Sequence, residues 1–432
     1  MNTPDPDTLH VSAGTPLRGT LTVPGDKSIS HRAAMFGALA QGTSHVRGWL
    51  PAGDTLATLG ALRALSVNIE QPEPSTLIIH GGSLHAPAEP LNLANAGTGL
   101  RLLAGILAGQ PFASTLDGSD QLRRRPMRRI TGPLRQMGAA ITDRDGYPPL
   151  HVRPAALHGI HYALPVASAQ VKSALLLAGL FADGPTTITQ PGPARDHTER
   201  LLRAMGARLE FDARTATLTP GGTLHPLDLA VPGDFSSAAF LIVAATLVPG
   251  SHLILENVSL NPTRTGLLDV LLDMGAAIKA TPGGESGGDP VGRLVVQSTT
   301  LGKTTVGGDT VVRMIDEFPI LMVAALCAEG RTEVRDAREL RLKETDRIAV
   351  MAAELGKLGA VIEERADGFV IDGPQQLHGA TVDGHDDHRV AMSLAVAGLV
   401  ATGETVVEDA GCIADSFPCF VHTLQTAGAH AR

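Results

Sequence analysis

The chain has 432 residues, 43% hydrophobic and 18% charged, which excludes a disordered or fibrous protein and suffices for about three domains or two large ones. Aromatics are only 3% and the net charge is −9, from 35 basic and 44 acidic residues, so a stacked-ring surface for nucleic acid is not expected and any anion site must be a local concentration of charge. Cys327, Cys412 and Cys419 have no C-x-x-C spacing, which excludes a disulfide framework and a zinc signature. They read as buried small hydrophobes in a cytoplasmic protein. The opening MNTPDPDTLH lacks the basic and apolar regions of a signal peptide, and the longest apolar run, Ala238 to Val248, is too short for a bilayer. Neither secretion nor membrane insertion is expected.

Arg18 to Val23 reads as a first strand. GDKSISHRAAMFGALA follows it, polar turn residues leading into an Ala/Leu-rich run, and the combination returns at NAGTGLRLLAGILAG, SAQVKSALLLAGLFA, GDFSSAAFLIVAATLV, MIDEFPILMVAALCA and DDHRVAMSLAVAGLVA. After each run come Gly and a β-type stretch such as GPTTITQ or GETVVED. A second pattern lies out of phase: Leu65, Met137, Met205, Met274, Leu358 and Ala427 each close an amphipathic stretch, usually before Gly, at intervals of roughly 70 residues with one longer gap. Ser66 stands where the other copies have Gly.

One unit therefore reads helix, strand, loop, helix, strand, with the first helix apolar nearly all round and buried. The second is clearest at Thr265 to Ala276, where Leu267, Leu268, Leu271 and Leu272 are expected on one face and Asp269 and Asp273 on the other. VPGDKSIS and VPGDFSSA resemble each other most, which suggests a duplicated half with chain crossings near Pro24 and Pro232. The expected architecture is α/β in two domains, 24–232 and a discontinuous 1–23 plus 233–432, with three units in each. A continuous solenoid would need polar capping repeats, and none is evident. TPGGESGGDPVG, Thr281 to Gly292, reads as a flexible insertion that accounts for the long gap.

Each buried helix begins with small or polar residues, and a helix N-terminus offers free N–H groups and about half a positive charge. Basic and polar side chains recur at those starts: Lys27, Ser28 and Arg32; Thr98 and Arg101; Ser168, Gln170 and Lys172; Arg389 after Asp387. The approaches to the outer helices add Arg125, Arg195, Lys343 and Arg347. A single such residue is ordinarily a solvated helix-end charge, but recurrence at one phase of the repeat favours an anion site. With the carboxylates Asp316 and Glu344 among them, the group suits a substrate bearing several phosphates or carboxylates. RRRPMRR, Arg123 to Arg129, is a weaker candidate for nucleic acid, opposed by the net charge. His385, Asp386, Asp387 and His388 are a candidate metal cluster without a Cys or H-E-x-x-H partner motif. No nucleotide-binding glycine motif is present.

PGDKSISHR, NAGTGLR, RRPM, SAQVK, RDHTER, NPTR, IDEFP, RLKETDR and DDHR together resemble the 5-enolpyruvylshikimate-3-phosphate synthase family, in its order and spacing over essentially the whole chain. The resemblance implies a two-domain inside-out α/β barrel, three repeated helix-strand units per domain, with the active site in the interdomain cleft. It implies transfer of the enolpyruvyl group of phosphoenolpyruvate to the 5-hydroxyl of shikimate 3-phosphate, without a metal or organic cofactor. Lys27 is then expected to touch both substrates. Ser28, Arg32, Ser168, Ala169, Gln170, Arg195, Asp316 and Lys343 are assigned by the resemblance to shikimate 3-phosphate; Gly97, Arg125, Gln170, Arg347 and Arg389 to phosphoenolpyruvate. Asp316 would accept the hydroxyl proton and Glu344 handle the methylene proton. The herbicide glyphosate would compete with phosphoenolpyruvate, Gly97 being a position where tolerant members can carry Ala. No nucleic-acid or membrane partner and no second subunit is expected.

One departure stands out: many members have Lys before Ser-Phe-Pro near the C-terminus, whereas this chain has Asp415, which is left out of the site. A related transferase acting on UDP-N-acetylglucosamine would show Lys-Asn at the first helix and a Cys near RRPM. Here Ser28 follows Lys27 and the first Cys is Cys327. A non-catalytic protein binding a phosphorylated partner would explain the basic helix starts but not Asp316 and Glu344, since carboxylates weaken anion binding.

Overall fold

A computed structural model describes residues 7–432; the opening MNTPDP, part of the segment read above for a signal peptide, lies outside them. The chain folds into six four-stranded sheets, each served by one inner and one outer helix. In one unit, short strand Leu91–Asn92 leads into inner helix Gly97–Ala108, then strand Ser114–Asp117, outer helix Arg128–Gln136, and hairpin Ala140–Arg144 with Tyr147–Arg153. Leu91 lies opposite Leu116 in parallel register, and Thr115 opposite His151 in antiparallel register. This corrects the helix, strand, loop, helix, strand reading: each sheet has four strands, and three sheets take one of them from a distant part of the chain, Leu9–Ser12, Arg18–Thr22 and Asp228–Ala230. Leading strands of only two or three residues, such as Leu91–Asn92 and His161–Ala163, are too short to leave an alternating pattern.

The chain divides into two compact units, a central one, Gly25–Pro232 with Glu285–Asp289, and a terminal one, formed by the chain through Pro24, Gly233–Gly284 and Pro290–Arg432. Each closes on itself by strand pairing. In the central unit Asp228–Ala230 returns to pair in parallel with Gly42–Arg47, Leu229 opposite Val46. In the terminal unit Arg18–Thr22 pairs with the strand beginning at His252, Leu21 opposite Leu255. Leu9–Ser12, not anticipated from the sequence, completes the last sheet with Leu9 opposite Val407.

The inner helices are buried because they carry apolar side chains on every face. Phe235 to Thr246 are all buried in helix Phe235–Leu247, and Phe318 to Leu326 in helix Phe318–Cys327. Most of the scarce aromatics are buried, Tyr147 and Phe181 being exposed, and in the terminal unit Phe240 and Phe417 each meet Phe420 edge-on, at 6.2 and 5.4 Å between ring centroids. Among the described residues no helix is long and apolar enough to cross a membrane.

Two sequence expectations fail for identifiable reasons. The segment 281–292 is no flexible loop: strands Ala277–Ser286 and Asp289–Gln297 form a hairpin turning on Gly287 and Gly288, with φ of 57° and 80°. The Gly-Gly pair is a two-residue hairpin turn rather than a sign of flexibility. In helix Gly266–Asp273, Leu272 is exposed, and Val270 takes the expected place beside Leu267 and Leu271, because the buried stripe follows i, i+3, i+4.

The six markers Leu65, Met137, Met205, Met274, Leu358 and Ala427 are the C-cap residues of the six outer helices. The residue after each is left-handed, glycine in five copies and Ser66, at φ 67°, in the first. The position ends the helix by the left-handed motif that glycine adopts without steric cost. Ser66→Gly should therefore raise unfolding stability by about 0.5–1 kcal/mol. Gly275→Ala, where φ is 92° and an added Cβ meets nothing within 4 Å, should lower it by about 1 kcal/mol from backbone strain alone. Urea unfolding of both variants checks this; changes of the same sign would contradict it.

Candidate functional site

In the central unit the first inner helix, Lys27–Leu39, starts at Asp26, whose Oδ1 accepts the Ile29 N–H at 2.9 Å. This cap sets Lys27 at the first helical position, where its Nζ lies 2.6 Å from Asp54 Oδ2. Arg32, one turn on and 2% exposed, donates to the Ser28 carbonyl at 2.9 Å, to Thr198 Oγ1 at 2.7 Å and to Ser173 Oγ at 3.0 Å. Burial is the main cause that lowers its pKa to about 10, against the opposing charges of Glu199 and Asp26 and together with Arg195. Arg32 thus ties three helices together as well as facing the residues named with it.

Gly97 opens the second inner helix, and Ser168 and Ala169 are the N-cap and first residue of the third, Ala169–Gly179. Gln170 links the two helices: its Oε1 accepts from Arg101 Nη1 at 2.8 Å and its Nε2 donates to Thr98 Oγ1 at 3.0 Å. A Cβ on Gly97 would lie 3.0 Å from Arg125 Nη1 and 3.2 Å from Arg101 Nη1. Gly97 is not left-handed, so the room it leaves serves two guanidinium groups rather than an unusual backbone angle. The central unit therefore gathers Gly97, Arg125 and Gln170 around Arg101.

In the terminal unit Asp316 is the hub. Lys343 Nζ and Arg347 Nη1 approach its Oδ1 at 3.5 and 3.4 Å, and Arg389 Nη2 its Oδ2 at 3.7 Å. Arg347, 2% exposed at the start of helix Arg347–Lys357, also bonds Glu344 Oε2 at 2.7 Å and both oxygens of Asp387, at 2.8 and 3.1 Å. Burial alone would lower its pKa, but Asp387, Glu344 and Asp316 outweigh it and hold the guanidinium above its usual range. Asp387 caps the last inner helix, accepting the Arg389 N–H at 3.0 Å. The four expected members Asp316, Lys343, Glu344 and Arg347 come together with Arg389 as one charge lattice.

Sequence reasoning missed the partners. Asp54, Asp387 as the Arg347 clamp, Glu199, which pairs at 2.6 Å with the helix-start Lys172, and Arg264, which donates to Asp234 at 2.6 Å and to Ser236 at 2.8 Å, carry no role in the sequence reading. The usable signal was the repeat: Asp26, Asp234 and Asp387 all precede inner helices and all cap them. Other candidates disperse. His385 bonds Glu354 at 2.9 Å and Asp387 turns to Arg347, while Arg123 of RRRPMRR pairs with Asp117 at 2.7 Å. The expectation of buried thiols fails: Cys419 is exposed at the start of helix Phe420–Thr426, and Cys327 and Cys412 are only partly buried. The Cys327 thiol is pushed up to about 11 by burial. Cys412 is pushed up further by burial and then by Asp409, Asp387, Asp386 and Asp415, which marks the loop of Asp415 as a negative one.

The fold is shared with the enolpyruvyl transferase NikO from Streptomyces tendae, which superposes with a TM-score of 0.79 over 98% of each chain, at 20% identity. EPSP synthase from Acinetobacter baumannii superposes at 0.89 with 43% identity, covering 98% of this chain and 99% of that one. The family profile of EPSP synthase (3-phosphoshikimate 1-carboxyvinyltransferase) matches residues 11–424, and the chain belongs to that family. The 3-phosphoshikimate 1-carboxyvinyltransferase of Acidithiobacillus ferrooxidans is 52% identical over 97% of both chains. That of Geobacter sulfurreducens is 52% identical over 94% of this chain and 96% of its own.

His31 lies between Lys27 and Arg32 with Nδ1 2.8 Å from Thr58 Oγ1 and no partner for Nε2 among the described residues. Burial is the main cause that lowers its pKa from 6.5 to about 3. The folded state therefore holds a neutral imidazole, and the unfolded chain binds the extra proton. The stability this contributes is complete above the unfolded pKa of 6.5 and is lost as pH falls toward 3. Between pH 7 and pH 5 the wild type should lose about 2 kcal/mol that His31→Gln does not lose. Urea titrations of both at the two pH values check this; equal losses would contradict it.

Proposed function

We propose that the chain is a 3-phosphoshikimate 1-carboxyvinyltransferase, transferring the enolpyruvyl group of phosphoenolpyruvate to the 5-hydroxyl of shikimate 3-phosphate and releasing phosphate. The observation that carries the reading is Asp316, a carboxylate with three cations within 3.7 Å, in a chain 52% identical to a named enzyme of this activity. Both substrates carry a phosphate and a carboxylate, and both units carry cations anchored by internal acids.

In this reading Lys27, Ser28, Arg32, Ser168, Ala169, Gln170 and Arg195 receive shikimate 3-phosphate, and Arg125, Gln170 and the space left by Gly97 receive the phosphate of phosphoenolpyruvate. Arg347 and Arg389 take its carboxylate. Asp316 accepts the proton of the 5-hydroxyl as oxygen attacks the enolpyruvyl carbon, and Glu344 delivers a proton to the methylene carbon. In the tetrahedral adduct the C–O bond to phosphate then breaks, Asp316 gives its proton to the departing phosphate, Glu344 takes a proton back from the newly formed methyl group, and the double bond reforms. Cations already fixed in place stabilise the charge that develops without reorganising. Glyphosate, an anion of similar charge, competes for the phosphoenolpyruvate groups. The enzyme works in the cytoplasm as a single chain.

Incubation with both substrates should release phosphate only when both are present. Lys27→Ala should remove nearly all turnover, and Asp316→Ala and Glu344→Gln should each lower kcat by roughly 10²–10⁴-fold, with much smaller changes in KM, because proton transfer belongs to the transition state. Absence of phosphate release by a folded protein contradicts the function. A rise in KM with kcat intact would move Asp316 and Glu344 from proton transfer to binding.

A further inference from the structure

The segment that carries Arg195 is fastened from below by buried charge that the proposed reaction does not use. Lys172 Nζ lies 2.6 Å from Glu199 Oε1, with the two side chains 3% and 1% exposed. The same ammonium donates to the carbonyl of Ala194 at 3.3 Å, the residue immediately before Arg195. Lys172 stands two residues after Gln170 on the third inner helix, and Glu199 lies in the first turn of outer helix His197–Ala204. Two further bonds hold the same stretch: Arg32 to Thr198 at 2.7 Å, and His197 Nδ1 to both carboxylate oxygens of Asp289 at 3.0 Å. Glu199 Oε2 has no hydrogen-bond partner among the described residues.

A buried ion pair is weak evidence for stability, because apolar residues of similar volume often serve a core as well or better. What an apolar side chain cannot do is bond the Ala194 carbonyl and so fix the backbone from which Arg195 springs. We propose that Lys172 and Glu199 are positioning residues for shikimate 3-phosphate: their ion pair holds the 194–199 segment so that Arg195 meets the substrate. The inference rests on the reading of Arg195 as a shikimate 3-phosphate contact. Pre-placement matters because a displacement near 1 Å can cost about 100-fold in a site of this kind.

The test compares Lys172→Met/Glu199→Leu, which removes both charges and leaves neither one unpaired, with Arg195→Ala and with all three changes combined. The double variant should keep a melting temperature near that of the wild type and a KM for phosphoenolpyruvate within a few-fold. Its KM for shikimate 3-phosphate should rise by about 10- to 100-fold. Arg195→Ala should cost much in the wild type and little more in the double variant, since the pair acts through Arg195. Glu199→Gln keeps the shape and an acceptor for Lys172 and is read if the double variant does not fold; a several-fold rise in the same KM is expected there. A folded variant with an unchanged KM for shikimate 3-phosphate, while Arg195→Ala raises it, overturns the positioning role alone. An Arg195→Ala enzyme with unchanged KM overturns the reading of Arg195 and the inference with it.

Discussion

Buried aspartates at the starts of inner helices govern this structure. Asp26, Asp234 and Asp387 each accept a backbone N–H of the first turn, and all three are nearly or fully removed from solvent. Asp234 also holds Arg264, and Asp387 holds Arg347. A carboxylate in such a place is costly unless donors surround it, and here the helix end and the guanidinium supply them together. The same residue therefore caps a helix start, has its buried charge balanced and places a cation.

The cations of the two units follow one plan. One cation in each unit shows it most plainly, set by an internal acid before any substrate arrives: Lys27 by Asp54, Arg347 by Asp387 and Glu344. Long side chains lose much rotamer freedom when they bind a ligand, and an internal partner meets that cost during folding. A net charge of −9 does not prevent anion sites, because the cations are concentrated locally. Asp316 differs from the capping acids, because it meets three cations at 3.4 to 3.7 Å rather than one at close range.

The sixfold repeat and the inner helices were legible because each leaves a local pattern: a left-handed residue after Leu65 or Met274, an unbroken apolar run in Phe235–Leu247. The helix-start cations were legible for the same reason. Their acids were not, since Asp54 and Glu199 pair with Lys27 and Lys172 from other helices, and nothing in the spacing joins them. The hairpin at 277–297 was hidden by its composition: exposed strand residues rich in Gly, with Pro282 and Glu285, read as a linker, although Gly287 and Gly288 carry the turn. Leu9–Ser12 was missed because its partners lie at the far end of the chain.

The most direct measurement uses Asp387→Asn. Asn caps a helix about as well as Asp, so the helix start should survive while the charge that holds Arg347 is removed. Kinetics of phosphate release should then show a KM for phosphoenolpyruvate raised by about 10-fold or more, with the KM for shikimate 3-phosphate changed much less. An Asp387→Asn enzyme that keeps the wild-type KM for phosphoenolpyruvate would contradict the claim that the capping aspartate places the cation.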